Sequence, residues 1–263
     1  MTTLIKNAYR DLRAAFMNFD QWAYMGVQDI VLRYQRTRLG PIWVAVTMGA
    51  TILGMGVVSA SLFNTALSDT YPHLATGFLG WAFISSIVNE STNVFVAATG
   101  YLQNLNISPA SFSLRLVVRN FMIYLHNLPL VLLILLYLGR LWDVSLVGLG
   151  AALLIVCVNA VAVSLWLGMI CARYRDLGQA VQTLMNMVFF ITPIMWPVKN
   201  LGERAYLAEM NPMTYFVELM RAPLLGSFPS TDYMIVIAGL TFLNIIVAFM
   251  SYAAYRRKLI FWL

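Results

Sequence analysis

Hydrophobic positions fill this chain in six runs, 39–62, 73–98, 116–138, 145–171, 177–198 and 233–255, parted by short polar segments. A helix needs ~20 mostly apolar residues to cross the ~30 Å hydrocarbon layer of a bilayer at ~1.5 Å per residue. The pattern therefore predicts an all-α integral membrane protein with six transmembrane helices. Before the first run, Ala23, Val27, Ile30, Val31 and Tyr34 share one face at helical spacing, opposite Gln21, Gln28, Asp29, Arg33, Gln35 and Arg36. This predicts an N-terminal amphipathic interface helix over 20–35, capped by Asp20, with Trp22 and Tyr24 at the water boundary. Such a helix lies along the membrane surface or packs on a partner. Between 199 and 232, residues 201–210 and 212–225 read as two short helices split by Asn211-Pro212. Neither can span, and together they predict an external re-entrant helical hairpin before the last span.

Composition fits this reading. With 60% hydrophobic and 11% charged residues in 263, 1–263 is expected to form a single transmembrane domain with no soluble catalytic domain. The net charge of +6 reflects topology rather than a nucleic-acid partner. Lys6, Arg10, Arg13, Arg33, Arg36, Arg38, Arg115, Arg119, Arg173, Arg175, Arg256, Arg257 and Lys258 all fall on the side of the termini, against Arg140, Lys199, Arg204 and Arg221 on the other. By the positive-inside rule both termini are cytoplasmic. No cleavable leader is expected, because charge interrupts the first 38 residues.

A few polar positions interrupt the runs. Asn89-Glu-Ser-Thr-Asn93 is costly in lipid unless it faces protein or water. Three readings stay open for Glu90: a cavity or gating group, a helix–helix hydrogen bond, or a carboxylate near the interface because its span ends early. Ser108-Pro109 is a helix-start signal for a short helix running toward Arg115. Arg173-Tyr-Arg-Asp176 forms a tight turn between the fourth and fifth runs. Pro193 and Pro197 break the fifth run near its end. Glu218 and Arg221, three apart, can pair on one helix face. His126 reads as a packing residue and His73 as a solvated one. Cys157 and Cys171 lie ~21 Å apart on one helix and cannot bond to each other.

The usual catalytic patterns are missing. There is no phosphate-binding G-x-x-x-x-G-K-[ST] loop, no metal-ligand spacing and no nucleophile elbow. The spans also lack the series of acids and bases expected of an ion-coupled pump. No catalytic residue and no metal is expected, so a transporter built this way borrows its energy or works downhill.

Four segments taken in order, Arg33-Tyr-Gln-Arg-Thr-Arg-Leu-Gly-Pro-Ile-Trp43, Ala172-Arg-Tyr-Arg-Asp-Leu177, Thr192-Pro-Ile-Met-Trp-Pro197 and Asn211-Pro-Met213, resemble the membrane subunits of ABC type-2 exporters. The likeness is strongest to the Wzm-type polysaccharide permeases that export O-antigen, capsule or teichoic acid. It implies a homodimer in the bacterial inner membrane, paired with two copies of a cytosolic nucleotide-binding subunit. ATP and Mg would bind that partner, with no cofactor in this chain. It also implies a channel for lipid-linked polysaccharide between two protomers.

In that scheme the helix near Ser108, Pro109 and Arg115 couples to the ATPase, together with Arg173, Arg175 and Asp176. The hairpin closes the outer end, making Pro193, Pro197, Asn211, Pro212, Glu218 and Arg221 external gate candidates. Arg33, Arg36 and Arg38 can attract a lipid-linked pyrophosphate, whose oxygens match the guanidinium fork. Sugars present C–H faces to aromatic rings, so Trp43, Phe78, Trp81, Phe83, Phe189 and Phe190 are path candidates, with Glu90 beside them. Rival readings are a type-2 exporter of a small hydrophobic compound or lipid, a polytopic glycosyl- or acyltransferase acting on lipid-linked substrates, and a passive channel.

Overall fold

The computed structural model describes residues 2–35, 40, 42–105 and 107–263. Arg36, Arg38 and Pro41 lie outside them. The elements are α1 (Thr2–Met17), α2 (Phe19–Tyr34), α3 (Ile42–Phe63), α4 (Leu67–Ser91), α5 (Thr99–Asn104), α6 (Pro109–Tyr137), α7 (Leu146–Arg173), α8 (Leu177–Ile191), α9 (Tyr206–Glu209), α10 (Pro212–Leu224), α11 (Thr231–Tyr255) and α12 (Leu259–Trp262), with 3-10 turns at Leu141–Asp143 and Val198–Arg204. The described residues contain no strand. Among them α3, α6, α7 and α11 are long and apolar enough to cross a membrane, as expected of a multi-pass membrane protein.

α4 is the central element, touching α3, α6, α7, α8 and α10. Small residues make this possible. A Cβ at Gly80 would stand 3.0 Å from the Met220 side chain of α10, and one at Gly77 would stand 2.2 Å from the Arg221 guanidinium. α7 pairs with α11, and α2 lies along α6. A polar clasp joins α7 to α11. Asn159 donates to Thr241 (2.8 Å), Asn244 donates to the Asn159 side chain (3.0 Å), and Trp166 donates to Asn244 (2.9 Å).

Several expected boundaries move, each for a local reason. The run 73–98 is not one helix: α4 starts at Leu67 and stops at Ser91. There Ser91 and Thr92 turn their hydroxyls onto the carbonyls of Ile87 and Asn89, both at 2.6 Å. Such bonds compete with the helical ladder, and the chain continues through turns to α5. Ser108 caps a helix as expected, accepting from the Ala110 amide at 3.3 Å. That helix does not stop near Arg115, because Pro109 opens the whole of α6, and the separate short helix of the loop is α5. α8 ends at Ile191, before both prolines. The stretch 201–210 is split at Gly202, whose φ of 53° breaks the helix.

The interface helix also differs from its expected form. Phe19 begins α2 and Asp20 sits in the first turn, where the helix dipole favours a carboxylate without a capping bond. The buried stripe is Trp22, Gly26 and Ile30, whereas Val27 and Val31 are exposed. Gly26 decides this, since a Cβ there would meet the Arg115 carbonyl at 3.1 Å. α2 thus approaches α6 on its smallest face. Trp22 is buried rather than interfacial, its indole donating to the Ala15 carbonyl at 2.9 Å and fixing the α1–α2 elbow.

α1 itself was not expected. Its inward face, Ala8, Leu12 and Ala15, packs on α6 and α11. Asp11 on α1 accepts from Ser108 (3.1 Å) and from the Tyr252 hydroxyl of α11, and pairs with Arg256 (3.2 Å). The first helix, the last long helix and the start of α6 meet in this one knot.

Candidate functional site

Three polar or aromatic constellations stand out. The first lies where α2, the end of α4 and the first turns of α6 converge. Asp29 of α2 accepts from Arg115 Nε at 2.8 Å and Nη2 at 2.5 Å, a two-pronged charge-assisted pair. Arg119, one turn along α6, bridges Asp29 at 3.2 Å and Glu90 at 2.7 Å. Asn120 donates to the same Glu90 oxygen at 2.6 Å. These groups border a cavity of about 460 Å³ that Arg33, Asn93 and Phe112 also line. Glu90 therefore borders a cavity and also ties two helices, and it stands at the end of its helix. Asp29 and Glu90 face Arg33, Arg115 and Arg119, so the cavity carries one excess positive charge. Arg33 makes no ion pair among the described residues.

Asp29, Arg119 and Asn120 were not singled out in the sequence. The pairs are 86 and 90 residues apart, so no local spacing shows them. An acid on an amphipathic helix and two arginines four apart at a helix start are the only signals, and both read equally well as a solvated face.

The second constellation is a groove between α4 and α8. α8 buries Met185 alone. Phe189 packs edge-on to Phe78 (6.3 Å) and Phe190 (5.4 Å) and tilts against Trp81 (5.6 Å). Four aromatic path candidates thus come together, and Phe190 is 73% exposed. The groove, of about 290 Å³, adds Ser85, Asn89 and Asn186. The Asn89 side-chain oxygen is buried there without a hydrogen-bond partner. Two path candidates lie outside this groove. Phe83 points to the other side of α4, buried against Tyr124 at 5.2 Å, and Trp43 sits exposed at the start of α3, outside the groove.

The third lies where α10 meets the loop after α8. Arg221 of α10 is 2% exposed. It donates to Glu218 at 3.0 Å and to the Pro193 carbonyl at 2.6 Å. Burial pulls its proton affinity down and Glu218 restores part of it. Asn211 caps α10 through the Met213 amide (3.0 Å), with Pro212 as the first helical residue, and donates to Thr192 at 2.8 Å. Ser59 of α3 bonds the Met195 carbonyl. The loop after α8 is thereby pinned to α10 and α3. Pro197 borders a separate pocket with Asp69, His73 and Arg140.

The remaining candidates scatter. Ser108 belongs to the α1–α11 knot, with Pro109 beside it. Arg173 is exposed and stacks over Tyr174 (5.1 Å) and Trp262 (5.4 Å). Arg175 and Asp176 are exposed in the turn before α8. No group of three or more His, Cys, Asp or Glu among the described residues could hold a metal.

Residues 20–225 match the family described as ABC-2 type transporter. A curated relative, the O-antigen export system permease protein RfbA of Myxococcus xanthus, is 23% identical over 193 residues, covering 71% of this chain and 73% of the relative. The chain belongs to the ABC-2 type transporter family and is a membrane transport subunit.

Proposed function

We propose, from membership of the ABC-2 type transporter family, that this chain forms the translocation path of an ATP-driven exporter of lipid-linked polysaccharide. Two copies assemble with two cytosolic ATP-binding subunits in a bacterial inner membrane. The observation that carries the reading is the α4–α8 groove. It sits on a helix that its own chain leaves almost uncovered, and it joins aromatic faces to an unsatisfied amide oxygen. Sugar rings need that combination: C–H faces stack on rings, and hydroxyls donate to a buried acceptor that otherwise costs ~1–3 kcal/mol. In the dimer, α8 of each protomer faces the other, and the groove becomes channel wall. The likeness to an O-antigen permease points to the same substrate class.

The remaining roles follow the frame. The chain crosses the membrane six times, through α3, α4, α6, α7, α8 with the segment 192–197, and α11, with both termini cytoplasmic. The segment 198–224 re-enters from outside, and Arg221, Asn211 and Pro193 hold it shut. The cavity at Glu90 lies at the inner leaflet. Its excess charge and the uncommitted Arg33 fit the pyrophosphate of a lipid-linked glycan, with Arg36 and Arg38 nearby in sequence. α5, Arg175 and Asp176 form the surface that meets the ATPase, taking the place of the short 108–115 helix.

The test is co-expression with an ATP-binding subunit of the same exporter class, followed by export of the labelled lipid-linked glycan into inverted vesicles. Trp81→Ala with Phe190→Ala should cut export about tenfold while ATPase activity persists. Asp176→Ala or Arg175→Ala should alter the ATPase itself. If no ATPase associates, the transport-subunit arrangement is wrong. If export is normal with Trp81 and Phe190 truncated, the groove is not the sugar path, and a small hydrophobic substrate becomes the better reading.

A further inference from the structure

A second cavity lies beneath the α1–α2 elbow. It measures about 480 Å³, within the ~300–1,000 Å³ typical of ligand pockets. Its wall comes from α1, α2, α6, α7 and α11, through Phe16, Trp22, Phe121, Val161, Leu165 and Phe249 among others. Apart from Cys157, every lining side chain is aliphatic or aromatic, and the one indole N–H is already given to the Ala15 carbonyl. A cavity of this chemistry stays dry, so in a bilayer hydrocarbon is what fills it. It opens sideways past Phe16, Val158 and Ile245, which are 53%, 40% and 44% exposed.

The rim identifies the hydrocarbon. Met17 and Phe19 of the elbow are 71% and 59% exposed, an apolar tip that suits the headgroup boundary. Arg10 and Arg13 of α1 are exposed and make no ion pair among the described residues. Arg13 sits one residue past Leu12 and three before Phe16, both of which line the cavity. An acyl chain below and a phosphate above complement this arrangement. The cavity shares no residue with α3, α4 or α8, so it stands apart from both the groove and the charged cavity at Glu90.

We infer that the cavity holds one acyl chain of a resident anionic phospholipid, with its phosphate at Arg13. The lipid wedges the elbow against α7 and α11. The inference needs only that the chain sits in a bilayer and does not rest on the polysaccharide reading.

The test uses the purified full-length protein in phosphatidylethanolamine vesicles. One set carries a trace of phosphatidylglycerol with a diazirine on its acyl chain, a second the phosphatidylcholine equivalent, and a third a diazirine polyprenyl phosphate. On illumination, phosphatidylglycerol should label the peptides around Val161 and Phe249 in preference to phosphatidylcholine. Filling the cavity with Val161→Phe, or more gently with Cys157→Leu, should reduce labelling of these peptides about tenfold, or ~1.4 kcal/mol. Arg13→Gln should erase the preference for phosphatidylglycerol. Circular dichroism and thermal unfolding would show that the variants fold. Labelling that survives both filling variants would mean ordinary annular lipid and would overturn the inference. So would labelling by the polyprenyl probe alone, which would make the cavity a substrate-tail site, or labelling by no probe.

Discussion

Arginine does opposite work at the two ends of this molecule. At the α10 end, Arg221 is a closed fitting. It is buried, gives Nη1 to one carboxylate and Nη2 to one carbonyl, leaves its Nε–H without a partner, and occupies the space that Gly77 leaves. At the α2 end, Arg115 and Arg119 share Asp29 and Glu90 around an open cavity, with Arg33 uncommitted at its wall. Cation and anion charges nearly match in both places. What differs is room: Arg221 is 2% exposed in a packed site, whereas the cluster at the α2 end borders about 460 Å³. A charge cluster without a cavity holds a shape, whereas one with a cavity can exchange its partners.

The sharpest way to break the comparison is Arg221→Met. Glu218 is 33% exposed, so losing Arg221 should cost about 3 kcal/mol, the low end for a buried pair, and thermal unfolding in detergent should show a loss of this order. A negligible loss would mean that the cluster at the α10 end is not a fitting at all. Next comes Gly77→Ala, whose methyl would displace a guanidinium held at two points. A destabilisation of about 1–3 kcal/mol is expected, and it should largely vanish in the Arg221→Met background because the two share one space. Asp29→Asn should cost about 2 kcal/mol, as a hydrogen-bonded charge is lost, but should also change how the cavity binds inorganic pyrophosphate, measured by calorimetry. The smallest stability effect belongs to Arg33→Gln, within about 0.5 kcal/mol. This variant should still weaken pyrophosphate binding, which separates the exchanging cluster from the fixed one.

How much of this was legible depended on the range of the interaction. Ser108-Pro109 and Asn211-Pro212 announced their helix starts because capping is local, a side chain reaching an amide two residues on. The apolar runs marked helices for the same reason. The end of α4 was misplaced because Val94, Phe95 and Val96 continue the apolar run, and only the hydroxyls of Ser91 and Thr92 mark where the ladder fails. α1 was legible in the letters, since Ala8, Leu12 and Ala15 repeat at helical spacing opposite Arg10 and Arg13, but it lies before the apolar runs from which the elements were read. The inward face of α2 was misjudged because the glycine at 26, not the valines beside it, sets how close α6 can come. The partners of Asp29 and Glu90 are set by tertiary packing, which a single chain of letters does not display. The aromatic cluster was half visible: Phe189 and Phe190 fell together with Trp81, but the side of α4 on which Phe83 sits depends on Tyr124.

The knot at Asp11 has a mechanical meaning. Ser108, Tyr252 and Arg256 converge on one carboxylate, so the loop bearing α5 hangs from a bracket that also clamps both ends of the chain. A push on that loop does not dissipate in a loose tail. The contacts lead from it to α11 and, through the Asn159–Asn244 clasp, to α7, so the short surface helix is joined to the long helices by one unbroken run of polar contacts.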